Sequence, residues 1–155
     1  MKLQAIHKRF EELSAKTLAS GRVQEMARFV QHGDTSTLDH TTAVARLALT
    51  MARGLRLRID EASLVRGAIL HDYFLYDWHD HEHAPDRWHG FTHPGHALRN
   101  AEADFDDLTP VERDVIVRHM FPFHPLPPRT KEGWVVCMAD KACTVREFFR
   151  GLRKG

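Results

Sequence analysis

Apolar residues recur at intervals of three and four along almost the whole chain, and no stretch keeps the alternation of a half-buried strand. The pattern predicts an all-α protein of about six or seven helices. A first helix is expected over about residues 3–19, stopping near Gly21. A second is expected over about 22–31, ended by "QHGD" with Gly33 as a left-handed cap. A third should run from Thr37 to Leu57, and a fourth should start at the N-cap Asp60, with Ile59 packing on Leu64. From Tyr73 to Phe91 the chain is polar, aromatic and histidine-rich and carries Pro85 and Gly90, so it reads as a long loop. A helix should follow Thr92 or His93. In "LTPVERDVI" the cap Thr109, Pro110 at the first helical position and Glu112 three residues after the cap announce the next helix, which ends before Pro122. "PFHPLPPR" cannot be regular helix, and a last helix is expected from Lys131 to Arg150.

Chain length changes this picture little: 155 residues suit one domain, with a core over about 30–145 and an N-terminal helical extension over 1–21. Twenty-two Lys and Arg against twenty-one Asp and Glu give a net charge of +1, so no overall field draws the chain to a nucleic-acid polymer or a membrane. The first twenty residues mix charges and lack the apolar run of a signal peptide, which leads us to expect a cytoplasmic protein. Cys137 and Cys143 form no C-x-x-C pair and read as buried free thiols. The unusual feature is twelve histidines, concentrated between residues 71 and 96.

Helical phase shows where several of them point, because residues three and four apart share a face. Leu64, Val65, Ala68, His71 and Asp72 form one stripe, and His40 falls with Val44, Leu47 and Met51. His119 continues Val115 and Ile116, while Asp140 lies among Val136, Cys137 and Cys143. Buried carboxylates need positive partners. One inward histidine is ordinarily a satisfied core residue, but several histidines and two aspartates from different helices build a metal site. Imidazole with carboxylate suits Fe, Mn, Zn, Co or Ni better than calcium or magnesium.

The series His40, His71-Asp72, His93, His119, Asp140 resembles the HD-domain superfamily of metal-dependent phosphohydrolases. The stretches "QHGDTSTLDH", "RGAILHDYFLYDW", "HGFTHP" and "VRHMFP" look more particularly like a group of small bacterial HD phosphohydrolases. The resemblance implies an HD-domain-like helical bundle in which His40, His71, Asp72 and Asp140 bind one metal. Asp72 would bridge to a second metal held by His93 and His119, whereas a mononuclear relative needs only the first set. "HPGHA" is compressed against the common family spacing His-Pro-x-x-Gly-Ala, so His96 is an alternative ligand. His93 is favoured because its phase lies nearer Ala97, Ala101 and Phe105.

The chemistry so implied is attack of a metal-bound water on the phosphoryl centre of a small phosphorylated molecule, such as a nucleotide. Asp72 is central to it because a carboxylate can bridge two cations. His89 is a candidate proton donor or substrate contact, its ordinary pKa lying near neutrality. Lys141, Arg129 and Lys131 are candidate phosphate contacts, with a solvated surface charge the plainer reading of the last two. His32 and Asp39 are candidates to fix a ligating ring through its other nitrogen. "HDHEH", residues 79–83, reads as an exposed loop without fixed geometry. Competing readings are a non-catalytic metal- or nucleotide-binding regulatory module, a metal carrier and a di-iron oxygenase of HD type. A homodimer is compatible with all of them.

Overall fold

A computed structural model describes residues 2–154, about two-thirds of them in helices. The elements are α1 (Lys2–Leu18), α2 (Gly21–Gln24), a 3-10 turn (Glu25–Arg28), β1 (Val30–His32), β2 (Thr35–Ser36), α3 (Thr37–Gly54), α4 (Glu61–Leu70), α5 (His89–Asp104), α6 (Pro110–Arg118) and α7 (Lys131–Lys154). Among the described residues no helix is long and apolar enough to cross a membrane.

Four helices close around the core: α3 packs on α4 and α7, α4 on α6, and α6 on α7, while α1 covers α4 and α5 leans on α6. Each turns an apolar stripe inward, including Val44 and Ala48 from α3, Leu64 and Ala68 from α4, Val115 and Ile116 from α6, and Val136 and Ala139 from α7. Small residues permit close approach, and at Gly67 a β-carbon would come within 3.1 Å of the Val115 side chain.

The polar signals in the sequence act as start points. Asp60 accepts from the Ser63 N–H at 3.1 Å, and Thr109 with Glu112 completes a capping box. Glu112 is buried and also receives Nε and Nη2 of Arg66 at 2.8 and 2.7 Å, which ties the start of α6 to α4. At the start of α7, Thr130 Oγ1 accepts from the Gly133 N–H. Both cysteines are free and buried.

Four elements differ from expectation. Instead of one helix over 22–31, the chain makes the short α2, the 3-10 turn and then an antiparallel hairpin in which His32 pairs with Thr35. Gly33 does adopt a left-handed φ of 59°, but in the two-residue hairpin turn rather than at a helix end. Extended backbone here buries Gln31 between exposed Val30 and half-buried His32. Helix α5 begins at His89, ahead of the expected Thr92 or His93, and carries Pro94 inside it at the loss of one backbone bond. Finally, α3 stops at Gly54 rather than Leu57, and α7 runs on to Lys154 rather than Arg150.

Candidate metal centre

Between α4 and α5 the chain leaves the helix at Leu70 and enters the core rather than solvent: His71, Asp72, Tyr73 and Phe74 are all buried. The segment is held in place from α5, where Asn100 Nδ2 donates to the Tyr73 carbonyl at 2.9 Å and Asp104 Oδ2 accepts from the Tyr73 hydroxyl at 2.6 Å. His71 and Asp72 thereby meet His40 of α3, His93 of α5, His119 just after α6 and Asp140 of α7, all buried.

Asp72 lies at the middle, and its two oxygens face different groups. Oδ2 lies 3.7 Å from His40 Nε2 and 3.4 Å from His71 Nε2. Oδ1 lies 3.2 Å from His93 Nε2 and 3.4 Å from His119 Nε2. Asp140 Oδ1 completes the first side, 3.0 Å from His40 Nε2 and 3.5 Å from His71 Nε2. Three overlapping triads, His40–His71–Asp72, His71–His119–Asp140 and Asp72–His93–His119, each bring one donor atom per residue within 4.8 Å of the others.

The rings are oriented from behind. The Nδ1 atoms of His71, His93 and His119 donate to the carbonyls of Ala68, His89 and Ile116 at 2.6, 2.7 and 2.8 Å. With the proton on Nδ1, each Nε2 presents a lone pair to the centre. Two of those lone pairs, on His93 and His119, face each other at 3.0 Å. His71 Nε2 and Asp72 Oδ1 are buried without a hydrogen-bond partner. Convergent lone pairs and orphaned acceptors in a dry site are what a divalent cation would satisfy, so the donor set fits one or two such ions.

Electrostatics point the same way. Burial opposes ionisation of Asp72, but the nearby imidazoles, His71 first and then His119 and His93, override it and hold the carboxyl well below the usual range. Asp140 is depressed likewise, burial being outweighed by His40 and His71. His40 is pushed up to about 9, against its burial, by Asp140 and Glu147. His71 is raised well above its ordinary value by Asp72 and Asp140 against the same penalty, while burial lowers His119.

Two residues that sequence reasoning missed support the centre. Both oxygens of buried Glu147 accept from His40 Nδ1, at 2.9 and 3.0 Å, which turns His40 Nε2 toward Asp72 and Asp140. Its signal was available, since Glu147 lies seven residues after Asp140 on the same stripe as Cys143. Gln31 Nε2 donates to Asp72 Oδ2 at 2.7 Å, a contact hidden by the expectation of a helix there. Replacing Glu147 with Gln is expected to weaken metal affinity about 10- to 100-fold while leaving stoichiometry at excess metal unchanged, as read by competition with a chromogenic chelator.

Other expected positions divide. His93 belongs to the cluster, whereas His96 points away and binds Asp86 Oδ2 at 3.2 Å. His32 is half-buried and edge-on to the His40 ring, with centroids 5.7 Å apart, but none of its hydrogen bonds reaches a cluster residue. Asp39 is exposed and accepts from Ser36 Oγ at the start of α3, so it cannot orient a ring in the core. Lys141 lines the cavity over the centre, its Nζ 3.0 Å from the His119 carbonyl. Arg129 and Lys131 are exposed near the start of α7 and do not line that cavity; Lys131 precedes Asp140 by about 13 Å of helix.

His89 does line the cavity, clamped by stacking on Trp78 and His93 and by the Tyr76 hydroxyl 2.8 Å from its Nδ1. Burial and then His93 push its pKa down to about 4, which corrects the expectation of a near-neutral proton donor. With Tyr76 donating to Nδ1, the neutral ring keeps its proton on Nε2 and is a hydrogen-bond donor. In the exposed 79–83 loop, His79 and His83 are engaged by their neighbours Asp77 and Asp80. The cavity measures about 570 Å³ and reaches Asp72, His93, His119 and Asp140 at its floor, with Trp78, Met120, Phe123 and Val145 among its apolar walls.

The family model described as HD domain matches residues 37–144, from the first turn of α3 to the middle of α7. No curated protein and no solved structure matches the chain.

Proposed function

Because the chain belongs to the HD-domain family, which is of metal-dependent phosphohydrolase type, we propose that it is a cytoplasmic hydrolase of a small phosphorylated molecule, such as a nucleotide. The observation that carries this reading is the two-sided environment of Asp72, whose oxygens face His40 and His71 on one side and His93 and His119 on the other. His40, His71, Asp72 and Asp140 would hold one divalent ion, and Asp72, His93 and His119 a second. Bound there, such ions would polarise a phosphoryl oxygen and make water acidic enough to act as a nucleophile near neutral pH. Ligand identity leaves the choice among Fe, Mn, Zn, Co and Ni to metal analysis.

The chain itself places the substrate. Lys141, beside Asp140, offers a cation at the cavity wall for phosphate oxygens, and the neutral His89 offers an N–H. Trp78 and Phe123 give the rest of the substrate apolar surfaces to pack on, and the cavity lies in the usual size range for small ligands. The buried floor residues Asp72, His93, His119 and Asp140 are shielded from bulk water, which strengthens each charge contact there.

Screening the metal-reconstituted protein against phosphomonoesters and nucleotides should release phosphate with no oxygen uptake. Oxygen uptake with an iron-loaded sample would instead establish the oxygenase reading, and metal binding without turnover of any substrate would favour a regulatory module. Paired variants test the ligand assignment: His93→Ala should lower metal stoichiometry, while His96→Ala should leave it unchanged. The reverse result would remove His93 from the site.

A further inference from the structure

The outer side of α7 keeps a coiled-coil rhythm. Trp134, Met138, Lys141, Val145, Phe148 and Leu152 follow one another at steps of four, three, four, three and four. Trp134, Met138, Val145, Phe148, Phe149 and Leu152 are 43–62 % exposed. Their spacing puts them within roughly 100° of arc, opposite the stripe that faces the metal centre. Lys141, the polar member of the row, turns its ammonium to the His119 carbonyl at 3.0 Å. From Phe148 to Lys154 every residue is exposed, and Gly151 sits among them. Helical turns like these draw their stability from packing on a neighbour. By phase, Arg150 and Lys154 point to the other side of the helix, Arg146 and Arg153 stand on one flank, and Lys131 precedes the ridge.

We infer that α7 pairs antiparallel with α7 of a second copy of the chain. The row is symmetric about Cys143 in sequence, so a two-fold axis beside that residue sets Trp134 against Leu152 and Met138 against Phe148. It also sets Lys141 against Val145, whereas a parallel pair would bring Lys141 onto its own copy. With Arg150 and Lys154 behind the ridge and Arg146 and Arg153 on its edge, two ridges meet while these cations stay in water. For an anionic bilayer the ridge is half-equipped, because the flank opposite Arg146 and Arg153 carries Cys137, Thr144 and Gly151. The six apolar residues expose on the order of 600 Å², against the roughly 800 Å² that each partner gives a standard interface. Exposed Phe123, which shares the cavity lining with Val145 and stacks on exposed Phe91 at 4.8 Å, extends the same surface. The paired seam therefore borders the cavity.

Light scattering on the full chain at micromolar concentration should read twice the mass of one chain. Phe148→Ser with Phe149→Ser should raise the dimer dissociation constant about a hundredfold or more, since a few central apolar anchors carry most of an interface's affinity. Arg150→Glu, behind the ridge, should leave it unchanged, with circular dichroism confirming that both variants fold. The native thiols being buried, a short bismaleimide should join Val145→Cys to its copy. It should not join Leu152→Cys, whose copies lie about 27 Å apart along an antiparallel seam. A chain that stays monomeric overturns the inference, as does a dimer that survives Phe148→Ser with Phe149→Ser. Linking at Leu152→Cys alone would make the pair parallel and overturn it too. A monomer that sediments with anionic vesicles would assign the ridge to a lipid surface instead.

Discussion

Asp72→Ala is expected to abolish bound metal and phosphohydrolase activity together while leaving the helical circular-dichroism signal intact. Asp72 is the residue whose two oxygens reach both sides of the centre, so its loss removes a ligand from each set at once. Elemental analysis should fall from one or two equivalents per chain to none. Activity should drop by about a thousandfold or more, since charge stabilisation by bound cations is worth several kcal/mol in such reactions. The fold should survive because the side chain contributes no apolar packing and Asp140 remains to balance His40 and His71. A variant that kept its metal and its turnover would place the functional site elsewhere.

Stripping the metal should lower the melting temperature by about 10 °C. An ion held at a thousand times its dissociation constant adds about 4 kcal/mol, and each kcal/mol shifts a chain of this size by about 2–4 °C. The size of the shift should depend on pH in a defined direction. His40 has its pKa raised to about 9, so its proton stabilises the metal-free protein fully below about pH 6.5, and that contribution fades as pH rises through 9. The depressed carboxylates Asp72 and Asp140 stay ionised across this window and add no slope. A cation takes the place of the His40 proton in the loaded protein, so the gap between loaded and stripped melting curves should widen from pH 6.5 to 9. Calorimetry on both forms measures it; a gap that narrows would mean that His40 does not exchange a proton for metal.

Much of the centre was legible because helical phase does not depend on knowing where a helix begins. Phase turns His93 rather than His96 into the buried cluster even though α5 starts four residues before His93. The inward aim of His71 and Asp72 followed from Leu64, Val65 and Ala68, and the capping box of α6 from three residue types at fixed spacing. Elements that rest on no periodicity were lost. The hairpin has strands of three and two residues, too short for alternation to show, and Gln31 was lost with it. Glu147 was overlooked for a different reason: amid Arg146 and Arg150 it reads as a solvated surface acid, and only the seven-residue spacing from Asp140 reveals that it turns inward. Asp39 erred the other way, because an acid next to a ligand in sequence lies about 100° away from it around a helix.

The hydrogen bonds behind His71 and His119 have a further consequence. Ala68 and Ile116 lie in the final turns of α4 and α6, where carbonyls lack the amide that a continuing helix would bring them. Their free lone pairs fix the imidazoles, so ending each helix and aiming each ring are one event in the backbone. Those same termini carry the negative pole of the peptide dipoles, equivalent to about half an electronic charge apiece. Two such poles converge on the centre, and the polypeptide draws cations there before a single carboxylate is counted.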